Sequence, residues 1–410
     1  MWGVNMKEFE QQLMELYYNK QQLLYKEYTE DEAVNFNEVD QQIYNLLRET
    51  DLSKHRFLYR EYINCNPLVS ELLHKIDNLT FYETSLTEEE RADKTRYKIA
   101  VSKAMKSDVI KLMRLRDKLS RYLGYNLYLD VMLGIDGFRQ NTITQSLEDF
   151  LDEFLPTVKM MVADQGIKWD SWFNDLDQVG QTNKSYDSEE LVETFLSKLN
   201  LKLNSSIDIR FDQKAYASFA LPVSKENTKV VIKSSDSLRD VLTLFHELGH
   251  AMYYSFIEGD GVQNILPPSL DEVMAVVMEF IAVQIMFEDE EKEKLNELMV
   301  LEYTRCAISS LFEIELWNNT SDAEELYIKH YSKLGVEIGH PELWSYDSFR
   351  SFDSVYIHNY TVGFILAIRL YKFFNSNFDQ DYSQWGSWIK ENIYQHGSKI
   401  KLSDILSLID

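Results

Sequence analysis

Between residue 7 and about residue 130, apolar positions recur at intervals of three and four with Glu and Lys between them. That spacing predicts a series of amphipathic helices. Thr87 and Glu90 have the T-x-x-E spacing of a capping box and are expected to open the longest of them. Turn-prone residues break the pattern at Leu123-Gly124-Tyr125-Asn126 and again at Gly134-Ile135-Asp136-Gly137. A helix from Ser146 to Val162, capped by Ser146 with Asp149, is expected next. Residues 163–187 are polar and interrupted by Gly166 and Gly180, which predicts a surface loop before a helix from about Ser188 to Leu199. The period then changes to two at Ile207-Asp208-Ile209-Arg210-Phe211. Tyr216 to Val223 and Lys229 to Lys233 read as further strands, with Lys225-Glu226-Asn227-Thr228 as the turn. An open edge in this β island would offer backbone pairing to an extended peptide.

Directly after the island, Asp240-Val241-Leu242-Thr243-Leu244-Phe245-His246-Glu247-Leu248-Gly249-His250-Ala251 has helical spacing and contains the pattern H-E-x-x-H. Residues four apart lie one turn above each other on the same helix face, so His246 and His250 aim two imidazoles at one point. Two neutral imidazoles at this spacing suit Zn²⁺, and the adjacent Glu247 is placed to take a proton from a water polarised by that ion. Chance is the competing explanation. With 8 His in the chain, the pattern would arise by accident on the order of once in a hundred such sequences. The apolar flanks weigh against accident, because burying ionisable groups in them is costly without compensation.

A catalytic zinc takes three protein ligands. The next helical stretch starts at Pro267-Pro268-Ser269-Leu270-Asp271-Glu272 and is apolar almost all round from Val273 onward, apart from Glu279. Glu272 and Glu279, seven apart, share a face. Glu272 is the expected third ligand, and Glu279 is expected to orient a histidine through its other ring nitrogen. The competing reading makes Ser269 and Glu272 a plain capping box and Asp271 an ordinary first-turn acid. Downstream, Val355-Tyr356-Ile357-His358-Asn359-Tyr360 opens another apolar helix with polar rings at its head. A phenol or imidazole there would be able to donate to an oxyanion, although an aromatic core is an equal reading in a chain with 25 Tyr.

Composition narrows the classes. Fourteen Gly and 6 Pro in 410 residues favour long helices. A net charge of −25 repels phosphate backbones, so nucleic acid is not an expected partner. Cys65 and Cys306 have no C-x-x-C spacing, which fits a reduced, cytoplasmic setting. The first residues lack the basic-then-apolar order of a signal peptide. The most apolar window, Val273 to Phe287, is too short for a membrane span and contains Glu279.

On these residues the chain resembles the zinc peptidases of the thimet oligopeptidase and oligoendopeptidase F family. The matching stretches are Leu123-Gly124-Tyr125, Asp240 to Ala251, Glu272 followed seven residues later by Met278-Glu279-Phe280, and Tyr356 through Gly363. They run in the family's order across roughly residues 110–375. The resemblance implies a mostly α, two-lobed, zincin-type fold with a central channel and a small β-sheet beside the metal helix. Residues 1–200 would form a helical lobe and 201–410 the metal-binding catalytic lobe. It implies one Zn²⁺ held by His246, His250 and Glu272, Glu247 as general base, and Tyr360 stabilising the tetrahedral intermediate with Tyr356 nearby. Short peptides would be the substrates, with no membrane or nucleic-acid partner. Such enzymes usually carry a substrate-contacting His shortly upstream of that tyrosine. Here the neighbourhood reads Ser348-Phe349-Arg350-Ser351, which leaves His358 or Arg350 as substitutes. The alternatives are a carboxypeptidase or dipeptidyl carboxypeptidase on the same fold, and a peptide-binding protein with reduced or lost turnover.

Overall fold

The computed structural model describes residues 6–30, 34–80, 94–182, 184–213, 215, 217–234 and 237–409. Among the described residues the fold is mostly helical, with one three-stranded sheet, as the periodicity predicts. Among the described residues, no helix is long and apolar enough to cross a membrane. The chain divides into two compact units that interleave in sequence. One comprises Met1–Glu32, Leu176–Met299 and Val362–Asp410, and the other Ala33–Asp175 and Val300–Thr361.

The first unit contains the sheet. Strands β1 (Ser206–Phe211), β2 (Phe219–Ser224) and β3 (Asn227–Ile232) lie in the order β1-β3-β2. β1 runs parallel to β3 and β2 antiparallel, with a register shift between Pro222 and Ser224. Val230, Val231 and Ile232 are buried, which fixes β3 as the central strand. Phe219, Ala215 and Val231 form a cluster joined by Tyr25, Tyr28 and Leu221, so the first helix, Met6–Glu30, covers one face of the sheet. Gln22 on that helix donates to the Val223 carbonyl at 2.9 Å, which occupies one acceptor on the β2 edge. The expected start of this strand at Tyr216 lies outside the described residues.

Two helices of this unit carry the candidate chemistry. Leu238–Phe256 begins at Ser237, whose hydroxyl accepts from the Arg239 amide, and Asp240 adds the first-turn acid that the helix dipole favours. Its partner, Pro268–Met286, has proline at its first position, where the missing N–H costs nothing. Apart from Asp271, every residue from Pro268 to Val283 is buried.

The second unit is helical and includes Lys94–Tyr122, Tyr128–Ile135 and Gln140–Gln165. Three expectations change there or at its border. The helix expected from Ser146 begins six residues earlier, because Ile143 and Leu147 already belong to its buried stripe. Ser146 caps nothing and instead donates to the Thr142 carbonyl at 3.0 Å. The polar stretch 163–187 is not all loop. Trp172–Val179 is a helix, with Trp172 and Leu176 buried. The Thr87–Glu90 box falls outside the described residues.

Candidate metal centre

His246 and His250 stand one turn apart on Leu238–Phe256, their rings 5.0 Å apart and nearly perpendicular at 82°. Each Nδ1 faces a carboxylate from the neighbouring helix: His246 meets Glu279 Oε2 at 3.2 Å and His250 meets Asp271 Oδ1 at 2.7 Å. A carboxylate oxygen only accepts, so each Nδ1 is the donor and Nε2 is turned the other way. Both Nε2 atoms converge on Glu272, with His246 at 2.8 Å from Oε1 and His250 at 3.9 Å from Oε2. The capping-box reading of Glu272 fails, since Ser269 caps nothing and the Glu272 side chain is 3% exposed among the imidazoles.

Among the described residues, His246, His250 and Glu272 are the one group of three such side chains whose ligand atoms all lie within 4.8 Å of one another. Ligand atoms around a tetrahedral zinc with bonds near 2.0–2.1 Å sit about 3.3 Å apart. The two observed separations bracket that value, and the donor set is two imidazoles and a carboxylate, so these residues fit a divalent ion. The charges fit as well. Burial alone would lower both imidazole pKa values, but Glu272 with Glu279 outweighs it at His246, and Asp271 with Glu272 outweighs it at His250, so both are raised. That excess of negative charge is what a cation would neutralise.

Glu247 is buried beside the pair. Desolvation raises its carboxyl pKa even though both imidazoles pull it down, which moves it in the direction a general base needs.

Asp271 is the first-turn acid of Pro268–Met286 that the sequence predicts, and it is also the partner of His250. It also accepts from the Tyr254 hydroxyl at 2.7 Å, and the Tyr254 ring lies nearly parallel to the His250 ring, at 15°. Burial and the Asp271 charge hold the Tyr254 phenol well above its ordinary pKa, so it stays a donor. The i to i+4 spacing of His250 and Tyr254 was the available signal for this contact.

The remaining candidates lie in the second unit. Tyr356 and Tyr360 are half-buried and pack with Phe349, their ring centroids 6.2 Å apart. The Arg60 guanidinium sits 5.8 Å over the Tyr356 ring and pairs with Asp353 at 3.0 Å. His358 is 3% exposed and directs Nε2 at Asp136 Oδ2, 3.8 Å away, which makes it an interior residue. Arg350 is interior too. Its guanidinium donates to the Tyr331 hydroxyl at 3.1 Å, approaches Glu313 at 3.7 Å and covers the Phe312 ring.

No protein-family model matches the sequence, and no curated protein does. Solved structures do. The M32 carboxypeptidase from Deinococcus radiodurans R1 is similar at a TM-score of 0.64 and 13% identity, covering 98% of this chain and 94% of that one. Metallocarboxypeptidase 1 from Trypanosoma cruzi is similar at a TM-score of 0.64 and 16% identity, covering 98% and 95%. A Bacillus anthracis protein assigned as oligoendopeptidase F is similar at a TM-score of 0.53 and 13% identity, covering 96% and 81%. At such identities the likeness defines the fold: a mostly helical architecture that these metallopeptidases share.

Proposed function

We propose that this chain is a zinc-dependent oligopeptidase that hydrolyses short peptides. The carrying observation is the convergence of His246 Nε2 and His250 Nε2 on Glu272, with each Nδ1 backed by a carboxylate and Glu247 buried alongside. His246, His250 and Glu272 would hold the ion, which when bound supplies Lewis acidity toward the peptide carbonyl and toward water. Glu247 takes a proton from the attacking water and passes it to the leaving amine. Glu279 holds the His246 ring in orientation. From the family resemblance, Tyr360 is the proposed donor to the oxyanion, with Tyr356 beside it in sequence-defined register. A cytoplasmic setting is part of the proposal, supported by two buried cysteines that are not joined in a disulfide.

A second reading, a carboxypeptidase on the same fold, has one observation behind it. The carboxypeptidase structures are covered almost end to end, at 94% and 95%, against 81% for the oligoendopeptidase. An internally quenched peptide offered with a free and with an amidated C-terminus separates the two. Cleavage of both forms supports the oligopeptidase, and cleavage of the free form alone supports the carboxypeptidase. Glu247→Gln is expected to retain one zinc per chain and lose peptide hydrolysis by at least about a hundredfold, the lower range for general-base loss. Wild-type turnover in that variant removes Glu247 from the mechanism.

A further inference from the structure

Asp271 and Tyr254 are not needed to complete the ligand set, yet both are spent on one ligand. Asp271 uses both oxygens, accepting from His250 Nδ1 at 2.7 Å through Oδ1 and from the Tyr254 hydroxyl at 2.7 Å through Oδ2. Asp271 stands at the start of Pro268–Met286, whereas His250 and Tyr254 share one face of Leu238–Phe256. Two hydrogen bonds at right distances on a single carboxylate leave it little rotational freedom, and the His250 ring follows. At the other histidine, the His246 Nδ1 contact with Glu279 is longer, at 3.2 Å.

We propose that Asp271 and Tyr254 form a positioning relay for His250: Tyr254 fixes the carboxylate of Asp271, and Asp271 fixes the tautomer and ring plane of His250 so that Nε2 is presented to the divalent ion. This rests on the reading of His246, His250 and Glu272 as the metal ligands. Asn at position 271 keeps an acceptor but removes the charge that makes the ring nitrogen a better ligand. Phe at position 254 removes the phenol hydroxyl while keeping the ring that lies along His250.

The test is zinc affinity of the full chain, measured by competition with a chromophoric chelator, together with the visible absorption of the Co²⁺-loaded protein. Asp271→Asn is expected to weaken zinc binding by about 10- to 100-fold and to alter the cobalt bands. Tyr254→Phe is expected to weaken it less, by several-fold. If Tyr254 works through Asp271, the double variant binds no more weakly than Asp271→Asn alone, whereas an independent packing role would make the two losses add. Wild-type protein that binds one zinc while both single variants stay within twofold of it overturns the relay. Wild-type protein that binds no divalent ion overturns the metal centre itself, a separate failure visible before any variant is made. Should Asp271→Asn fail to fold, Tyr254→Phe alone still decides the matter by its affinity and cobalt spectrum.

Discussion

The separation of the two site helices is set by Gly249, and replacing it with alanine is expected to damage both stability and metal binding. A Cβ at position 249 would lie 2.7 Å from the Ala275 Cα, 3.1 Å from the Ala275 carbonyl oxygen and 3.1 Å from the Met278 Cβ. The closest of these is backbone, which no rotamer change relieves, and it is about 0.7 Å inside the distance where ordinary contact begins. In an exposed helix interior, Gly→Ala stabilises by about 1 kcal/mol. Here the overpacking cost of about 1–3 kcal/mol opposes it, so the net effect is expected to be a loss of up to about 2 kcal/mol. Ala275 is three residues beyond Glu272 on the same rigid helix, so any retreat carries Glu272 away from the imidazoles. Ligand constellations tolerate only about 0.5 Å of such error. Denaturant unfolding of the metal-free chain measures the first effect, and chelator competition for zinc the second. A Gly249→Ala variant that is more stable than wild type and binds zinc equally well would refute the close-approach argument.

Other expectations come from the second unit. Val355, a buried β-branched residue, has φ of 58°, a left-handed conformation it adopts only at a cost of about 1–2 kcal/mol. Val355→Gly and Val355→Ala both lose the side chain, but glycine is expected to be the more stable of the two by about 1 kcal/mol, the reverse of the usual order. Equal melting temperatures would argue against strain there. Glu313, 2% exposed, accepts from the Val355 amide at 2.7 Å, and burial raises its pKa from 4.5 to about 7 despite Arg350 nearby. The folded state therefore holds this proton over a window where the unfolded chain releases it. Its stabilising contribution is complete below about pH 4.5 and is lost as pH rises through about 7, a change of roughly 3 kcal/mol. The unfolding free energy of wild type minus that of Glu313→Gln is expected to fall across that window, and a flat difference would sink the assignment.

The convergence of His246 and His250, the proposed ligands, was legible because a helix converts a four-residue interval into a shared face, a local property that sequence carries directly. Glu272 was legible for a weaker reason. A carboxylate on an otherwise apolar helix has to meet a compensating group, and only the imidazoles were in prospect. The second role of Asp271 was missed because it points about 100° away from Glu272 around the same helix, which made an ordinary first-turn acid a sufficient reading. Its real partner is fixed by the way two helices cross. The helix at Trp172–Val179 was missed for a similar reason. Trp172 and Leu176 hold the right spacing, but the polar residues around them and Gly166 and Gly180 on either side gave the stretch the composition of a loop.

Helix crossing is the step that sequence reading lacked, and glycine supplies a trace of it. Pro268–Met286 is approached closely from two sides in the first unit. Gly249 meets it at Ala275 and Met278, and Gly363 meets it at Val273 and Val276, where a Cβ would stand 2.8 Å from the Val276 Cβ and 3.2 Å from the Val273 Cα. Neither glycine has positive φ, so neither is there for a turn. Their shared function is to let neighbouring backbone press against the carboxylate helix. That pressure fixes the height and rotation at which Glu272, Glu279 and Asp271 meet the imidazoles. A glycine inside an apolar helical run, at no turn and no cap, is therefore a sequence signal for a crossing point. Read that way, Gly249 in H-E-L-G-H and Gly363 after Tyr360 would both have pointed to the helix that bears Glu272.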